Sequence, residues 1–242
     1  TQKWTLFPYT TLFRSPLIVR TRGHRLEGMW HAGSPMGMIL NSLKGMLVLT
    51  PRNMVQAAGM YNTLLSCSDP ALIIEPLNAY RLKEKEPNNI GEFNVPLGHV
   101  EYISKGKDIT VVSYGSTLKL VEKAIVELLK HDIEIELIDL QTLIPIDINM
   151  DIVKSLEKTN KLLIIDEDFP GGASSHIMKV VLEDHDGFKF LDSKPVTLTA
   201  MEHRPPYGSD GDYFSKPSID DIFESCYKIM HEYSPKKYPL KF

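Results

Sequence analysis

Short, almost wholly apolar runs alternate with longer stretches in which apolar residues recur every three or four positions. That alternation is the signature of a parallel α/β layer. PLIVRT (16–21), GMLVLT (45–50) and ALIIEP (71–76) are predicted strands, apolar nearly throughout, as strands covered on both faces must be. Two helices are predicted between them. Ser34-Pro35 and Thr50-Pro51 each set a capping hydroxyl before a proline at a first helical position. The second of these helices runs through MVQAAGMYNTLL to about Leu65, and Ser68-Asp69-Pro70 turns the chain back.

The stretch LKEKEPNNIGEFNVPLG (82–98) breaks the periodicity with two prolines, two glycines and paired asparagines, and reads as a linker. A second unit follows. DITVVSYG (108–115), IEIELIDL (133–140), KLLIIDED (161–168) and PVTLTA (195–200) are its strands. Helices are predicted over 116–131 and 147–160, after Gly171-Gly172, and from Ser218, where Asp221 completes a capping box. The fold class is therefore α/β, with two separately wound, mostly parallel sheets bearing helices on both faces. The first unit reads as truncated at its N-terminus and the second as whole.

The opening TQKWTLFPYTTLFRS (1–15) fits neither unit. It repeats Thr-Leu-Phe, and TLFPYTTLFRS matches the conceptual translation of a sequencing adapter. The expectation is an assembly scar abutting a natural segment at Pro16. That leaves residues 16–81 as the rear of one domain, 82–98 as linker and 99–242 as a second domain.

Composition narrows the function. A formal net charge of -4 with both signs interspersed leaves no basic footprint for nucleic acid and no attraction to anionic membranes. No apolar run approaches the ~20 residues that span a bilayer. The two cysteines, Cys67 and Cys226, lack CxxC spacing, so neither a disulfide scaffold nor a structural zinc site is indicated. A cytoplasmic or matrix-type enzyme fits. No GxGxxG, P-loop, GxSxG or HExxH motif occurs.

In open parallel sheets ligands collect beyond the carboxyl ends of the strands. The loop after PLIVRT lies there and carries Arg22, His24, Arg25, Glu27 and His31. His31 precedes the helix start at Ser34-Pro35, whose partial positive charge favours a neutral imidazole and a nearby anion. A histidine so placed suits proton exchange with a bound intermediate; the plainer reading is a structural histidine bonded to a backbone carbonyl. Met29 and Trp30 read as packing residues or as a pocket wall. Asp166, Glu167 and Asp168, at a strand end before Gly171-Gly172, suggest either a cation or phosphate turn or, more simply, solvated carboxylates capping helices. EHRPPYGSDGDYFSKPSIDD (202–221) reads as a long ordered loop entering the last helix.

HAGSP, DPALIIEP, Tyr80-Arg81, VPLG, DITVVSYGS, IDLQTLIPID and KLLIIDEDFPGGASS occur in that order. From Pro16 onward the chain resembles the β subunit of thiamine-diphosphate-dependent 2-oxoacid dehydrogenases. HRPPYGSDGDYFSKPSIDDIFE departs from the common β-subunit ending and is similar to that of chains in which α and β portions are fused. The resemblance implies the rear of a pyrimidine-binding domain followed by a transketolase-type C-terminal domain. It implies oxidative decarboxylation of a 2-oxoacid and acyl transfer to the lipoyl arm of a partner acyltransferase. His31 aligns with the family's β-subunit active-site histidine, with Trp30 and Ser34 beside it. The resemblance also implies Mg2+ with the cofactor, a potassium ion held by carbonyls near LSCSDPA, an α subunit or fused α portion, and a dimer of αβ units.

The family's activating glutamate and its magnesium-diphosphate domain have no counterpart in the sequence, so the chain alone is expected to be inactive. Two rival readings stand beside this one: a transketolase-type enzyme, and a non-catalytic module for subunit pairing and acyltransferase docking. The fused-type ending favours a branched-chain 2-oxoacid over pyruvate as substrate.

Overall fold

The structure, a computed structural model, describes residues 16–24, 34–203, 206–207 and 211–240. The first sheet has the order β1-β3-β2-β7. Its parallel members are β1 (Ile18–His24), β2 (Leu47–Leu49) and β3 (Ala71–Pro76), connected through α1 (Met36–Ser42) and α2 (Met54–Leu65). The second sheet has the order β4-β6-β5-β8-β9. In it, β5 (Ile109–Ser113), β6 (Ile135–Asp139), β8 (Leu162–Ile165) and β9 (Val196–Leu198) run parallel. The α/β class with two mostly parallel sheets is therefore as the sequence indicates.

Two short antiparallel strands were not foreseen. β4 (Glu101–Ser104) lines the outer edge of β6. β7 (Thr142–Ile144) leaves the second unit altogether and pairs with β2, so the first sheet takes its fourth strand from the second unit.

Alternation along the strands sets the layers, because successive side chains point to opposite faces. Val48, Leu72 and Ile74 of the first sheet face the same core as Val112, Ile138, Leu162 and Ile164 of the second. That central core also takes Met36, Ile39 and Leu40 of α1, Ile152 and Leu156 of α4 (Asp151–Thr159), and Ala173 and Ile177 of α5 (Ala173–Met178). The intervening residues serve outer cores. Leu47, Leu49 and Ile73 pack under α2, while Ile109, Val111, Leu137, Leu163 and Ile165 pack under α3 (Leu118–Leu129) and α7 (Ile219–Tyr233). One continuous apolar layer therefore joins the two units.

The 82–98 stretch is packed rather than free. Asn62 Nδ2 donates to the carbonyls of Ile90 and Phe93 (both 2.8 Å), and Thr63 Oγ1 donates to that of Val95 (2.8 Å). Phe93 approaches so near that a Cβ on Gly59 would lie 2.5 Å from its ring. A polar strut adds to the junction of the units. Arg52, before α2, donates to both Glu101 oxygens (2.7 and 3.0 Å) and to buried Asp139 (2.7 Å), which also accepts from Gln56 (2.9 Å).

Two helix starts are closed by the side chain of their cap residue. At α2 the cap is Asn53 rather than the expected Thr50-Pro51, because the helix starts only at Met54, where the Asn53 side chain accepts from Gln56 N. At α7 Ser218 and Asp221 form the expected capping box. At α4 the helix begins later than its sequence suggests. Asp147 instead accepts from the Asp151 and Ile152 amides (2.8 and 2.7 Å), and Met150 sits at φ 57°. At α1 the cap residue is Pro35 itself, not the first helical residue, with Ser34 Oγ still accepting from the Met36 amide at 3.3 Å.

Candidate functional site at the junction of the strand ends

The carboxyl ends of strands from both sheets converge at the start of α1. From the first sheet come Arg22 and His24 at the end of β1, and Pro76 of β3, which leads into the short 3-10 turn Leu77–Ala79. The second sheet contributes Tyr114 after β5 and Asp166, Glu167 and Asp168 after β8. Ser116 Oγ donates to Asn78 Oδ1 (3.1 Å) across the seam. Sequence spacing alone brings none of these groups together.

The three carboxylates are buried, at no more than 3% exposure, so the expectation of solvated groups is wrong, while the capping role holds for two of them. Asp166 Oδ1 accepts from the Tyr114 hydroxyl (2.5 Å) and the Asp168 amide (3.0 Å), and its Oδ2 accepts from the Ser174 amide (2.7 Å) at the start of α5. Asp168 reaches the other way. Its Oδ1 accepts from Phe169 N (2.9 Å), and its Oδ2 accepts from Gly37 N in the first turn of α1 (2.6 Å). One acidic run therefore closes a helix start in each unit.

Burial dominates the electrostatics. It pushes the Asp166 carboxyl up to about 6, against the opposing pull of the Tyr114 hydroxyl and two backbone amides. Asp168 is raised by burial too, with the Phe169, Gly37 and Ala173 amides holding it down. Tyr114, wholly buried beside these carboxylates, is shifted far upward and stays a neutral donor.

Two glycines make the approach possible. A Cβ on Gly172 would lie 2.2 Å from Asp168 Oδ2, and one on Gly37 would lie 3.0 Å from the Gly172 Cα. The turn after β8 and the first turn of α1 thus meet backbone to backbone. Gly171-Gly172 was visible in the sequence as a turn, whereas Gly37 and its partner 131 residues away were not.

Ser34 is half-buried at this junction. Arg25, Glu27, Met29, Trp30 and His31 lie outside the described residues, as do residues 1–15. Among the described residues no group of three or more His, Cys, Asp or Glu side chains is arranged to hold a metal ion. The Asp166 and Asp168 oxygens are aimed at backbone amides, which suits a mechanical role rather than cation binding. No described helix is long and apolar enough to cross a membrane.

A second cluster lies on the α2 side of the first sheet. Glu75, 3% exposed, accepts from Arg20 (2.8 Å), Tyr61 (2.6 Å) and Tyr80 (2.6 Å). Its desolvation is outweighed by these three donors, and its carboxyl is held below the ordinary range. Both oxygens are engaged by these donors, so the cluster reads as a clamp between β1, β3 and α2.

Residues 98–216 match the family model of the transketolase C-terminal domain. The chain is 28% identical over 213 residues to the pyruvate dehydrogenase E1 component subunit beta of Acholeplasma laidlawii, covering 87% of this chain and 63% of that one. It is 30% identical over 190 residues to the same subunit of Mesostigma viride, covering 78% and 57%. Against the acetoin:2,6-dichlorophenolindophenol oxidoreductase subunit beta of Bacillus subtilis it is 28% identical over 220 residues, covering 90% and 63%. The chain thus spans less than two thirds of each of these relatives. Among solved structures, a split-gene transketolase described as an inactive β4 tetramer shares the fold, with a TM-score of 0.69 at 18% identity, covering 88% of this chain and 66% of that one.

Proposed function

From kinship with the β subunits of thiamine-diphosphate-dependent 2-oxoacid dehydrogenases, we propose that this chain supplies part of the dehydrogenase component of a 2-oxoacid dehydrogenase complex. In this reading the assembled enzyme decarboxylates a 2-oxoacid oxidatively and passes the acyl group to a lipoyl arm. The observation that carries the reading is the convergence of strand ends from both sheets on the start of α1, directly after the segment containing His31. Strand ends of this kind are where ligands collect in α/β folds.

When bound, the cofactor supplies the electron sink for decarboxylation. The diphosphate and its Mg2+ are assigned to a partner subunit or a fused portion, since Asp166 and Asp168 at the junction are committed to helix starts. His31 is assigned proton exchange during acyl transfer, with Trp30 and Ser34 beside it. Ser34 Oγ accepts the Met36 amide, which fixes the residue at the mouth of the helix. A branched-chain 2-oxoacid is the substrate this reading favours. An α subunit or fused α portion, a lipoyl-bearing acyltransferase and a dimer of αβ units are its partners.

Measuring 2-oxoacid-dependent acylation of a lipoyl domain tests the reading. The enzyme assembled from the full-length form of this chain and its α portion should be active, and His31→Ala should lower acylation by a hundredfold or more, on the order expected for a lost acid–base group. An unchanged rate in the variant would remove the catalytic assignment. The 242-residue chain alone should bind thiamine diphosphate poorly and show no turnover.

A second reading has one observation in its favour. The split-gene transketolase chain of the same fold is described as an inactive β4 tetramer. A β-type chain that self-associates without catalysis would act as an assembly module, and normal acylation by His31→Ala would favour it.

A further inference from the structure

We propose that Asp168 is a positioning residue through which the C-terminal unit sets the active segment of the N-terminal one. The proposal rests on the catalytic reading above and adds a residue that the reading does not use.

The geometry is specific. Asp168 lies in the turn after β8 of the second sheet, yet its Oδ2 accepts from Gly37 N at 2.6 Å, in the first turn of a helix belonging to the first. The carboxylate is 3% exposed, so water does not compete for that amide. Its other oxygen is held by Phe169 N (2.9 Å), and its own carbonyl accepts from Ala200 N (2.9 Å), which ties it to the chain leaving β9. The side chain is therefore fixed from behind by its own sheet and presents one oxygen forward.

What it holds is equally constrained. α1 has only seven residues, and its cap residue is a proline making no side-chain capping bond. A helix this short has little intrinsic stability and takes its position from tertiary contacts. Met36, Ile39 and Leu40 anchor its inner face in the central core. In the first turn, nearest in sequence to His31, the packing of Met36 is joined by two polar contacts, Met36 N to Ser34 Oγ and Gly37 N to Asp168 Oδ2. The backbone contact between Gly37 and Gly172 leaves no side chain in the way. Gly37 lies six positions after His31 in sequence, so a shift at the carboxylate moves the point from which that segment departs. Misplacement by about 1 Å at a reacting centre costs on the order of a hundredfold in rate.

Two chemically different substitutions break this contact. Asp168→Asn keeps the shape but has one acceptor oxygen for amides that now use two, and it loses the charge. Gly172→Ala leaves the carboxylate intact but places a methyl 2.2 Å from its Oδ2, so the side chain must swing away. Because both act on one hydrogen bond, their effects should not add.

The test uses the assembled enzyme in its full-length form, with Asp168→Asn, Gly172→Ala, the double substitution and His31→Ala. Lipoyl acylation is measured beside amide hydrogen exchange at Gly37. Expected are faster exchange at Gly37 in both single variants and a ten- to hundredfold lower acylation kcat (roughly, from the geometric sensitivity above). The KM for the lipoyl domain should stay within about twofold, because a positioning fault acts on the chemical step rather than on docking. The double variant should be no slower than the slower single one. Faster exchange with unchanged acylation, or unchanged exchange, overturns the positioning role. If His31→Ala impairs acylation while both Asp168-directed variants do not, only this proposal falls. If His31→Ala is silent, the catalytic reading falls and this proposal with it.

Discussion

Replacing Arg52 by methionine should expose how much the polar strut contributes to joining the two units. Asp139 has no exposure, and among the described residues its cationic partner is Arg52, whose Nη1 donates to it at 2.7 Å. Without that partner the carboxylate keeps Gln56 Nε2 and Gln141 N, both at 2.9 Å, but no positive charge. Removing one member of a buried pair costs ~3–5 kcal/mol. Arg52 itself keeps 21% of its side chain in solvent and shares its charge with half-exposed Glu101, which argues for the lower end, about 3 kcal/mol. For a chain of this size that is a fall of roughly 6–12 °C in Tm.

The pH dependence gives a second arm. Burial already raises the Asp139 carboxyl, against the pull of Arg52 and Gln56. The folded chain therefore holds this proton more tightly than the unfolded chain, and the group's contribution to stability falls as pH rises above the ordinary carboxylate range. Loss of Arg52 raises the carboxyl further, so the deficit of Arg52→Met should shrink between pH 7 and pH 5. Asp139→Asn in the same background should restore much of it. Urea unfolding of the parent, Arg52→Met, Asp139→Asn and the double variant at both pH values supplies the double-mutant cycle. A cost below about 1 kcal/mol at pH 7, or a deficit unchanged by pH, would refute the reasoning.

Three other outcomes are expected. Gly59→Ala should destabilise by ~1–3 kcal/mol despite better helix propensity, because its methyl would lie 2.5 Å from the Phe93 ring; stabilisation in urea unfolding would mean that the 82–98 stretch is not packed on α2. Asp166, pushed up to about 6 by burial, binds its proton more tightly folded than unfolded, so stability should fall by up to ~3 kcal/mol as pH rises from about 4 to 6. Asp166→Asn should flatten the stability profile in that window, and an unchanged profile would contradict the assignment. Cys226, fully buried and raised to about 12 by that burial, should resist a thiol reagent in the native protein while half-buried Cys67 reacts, giving one label per chain by mass spectrometry.

The strands that carry the cores were legible because both faces of each are covered, so their sequences are apolar runs with few exceptions. Leu47–Leu49, Ala71–Pro76 and Leu162–Ile165 all fall inside the predicted segments. β4 and β7 were missed for physical reasons. Every β4 residue is only partly buried, so Glu101–Ser104 shows no apolar run. β7 has three residues, and its identity as a strand comes from pairing with β2, far away in sequence. The site was legible in part. A loop rich in functional groups, a turn with two glycines and an acidic run stood out by composition. That Asp168 serves a helix of the other unit depends on a contact spanning 131 residues, for which a single sequence carries no signal. The expectation of solvated carboxylates failed because strand-end acids look alike in sequence whether they face water or a backbone amide.

β7 has a consequence for how the protein is made. The first sheet is not finished by the residues that precede it on the growing polypeptide; its last strand is some 90 residues downstream of β2. As the chain leaves the ribosome, β2 presents an open edge until Thr142–Ile144 emerge, and at about 5–20 residues per second that interval lasts on the order of 5–20 seconds. During it, an unpaired strand edge is a template for the wrong partner, including the same segment of a neighbouring nascent chain. The N-terminal half on its own should therefore be a poor candidate for independent expression. Slowing translation between residues 50 and 142 should lengthen the exposure and raise aggregation rather than help folding.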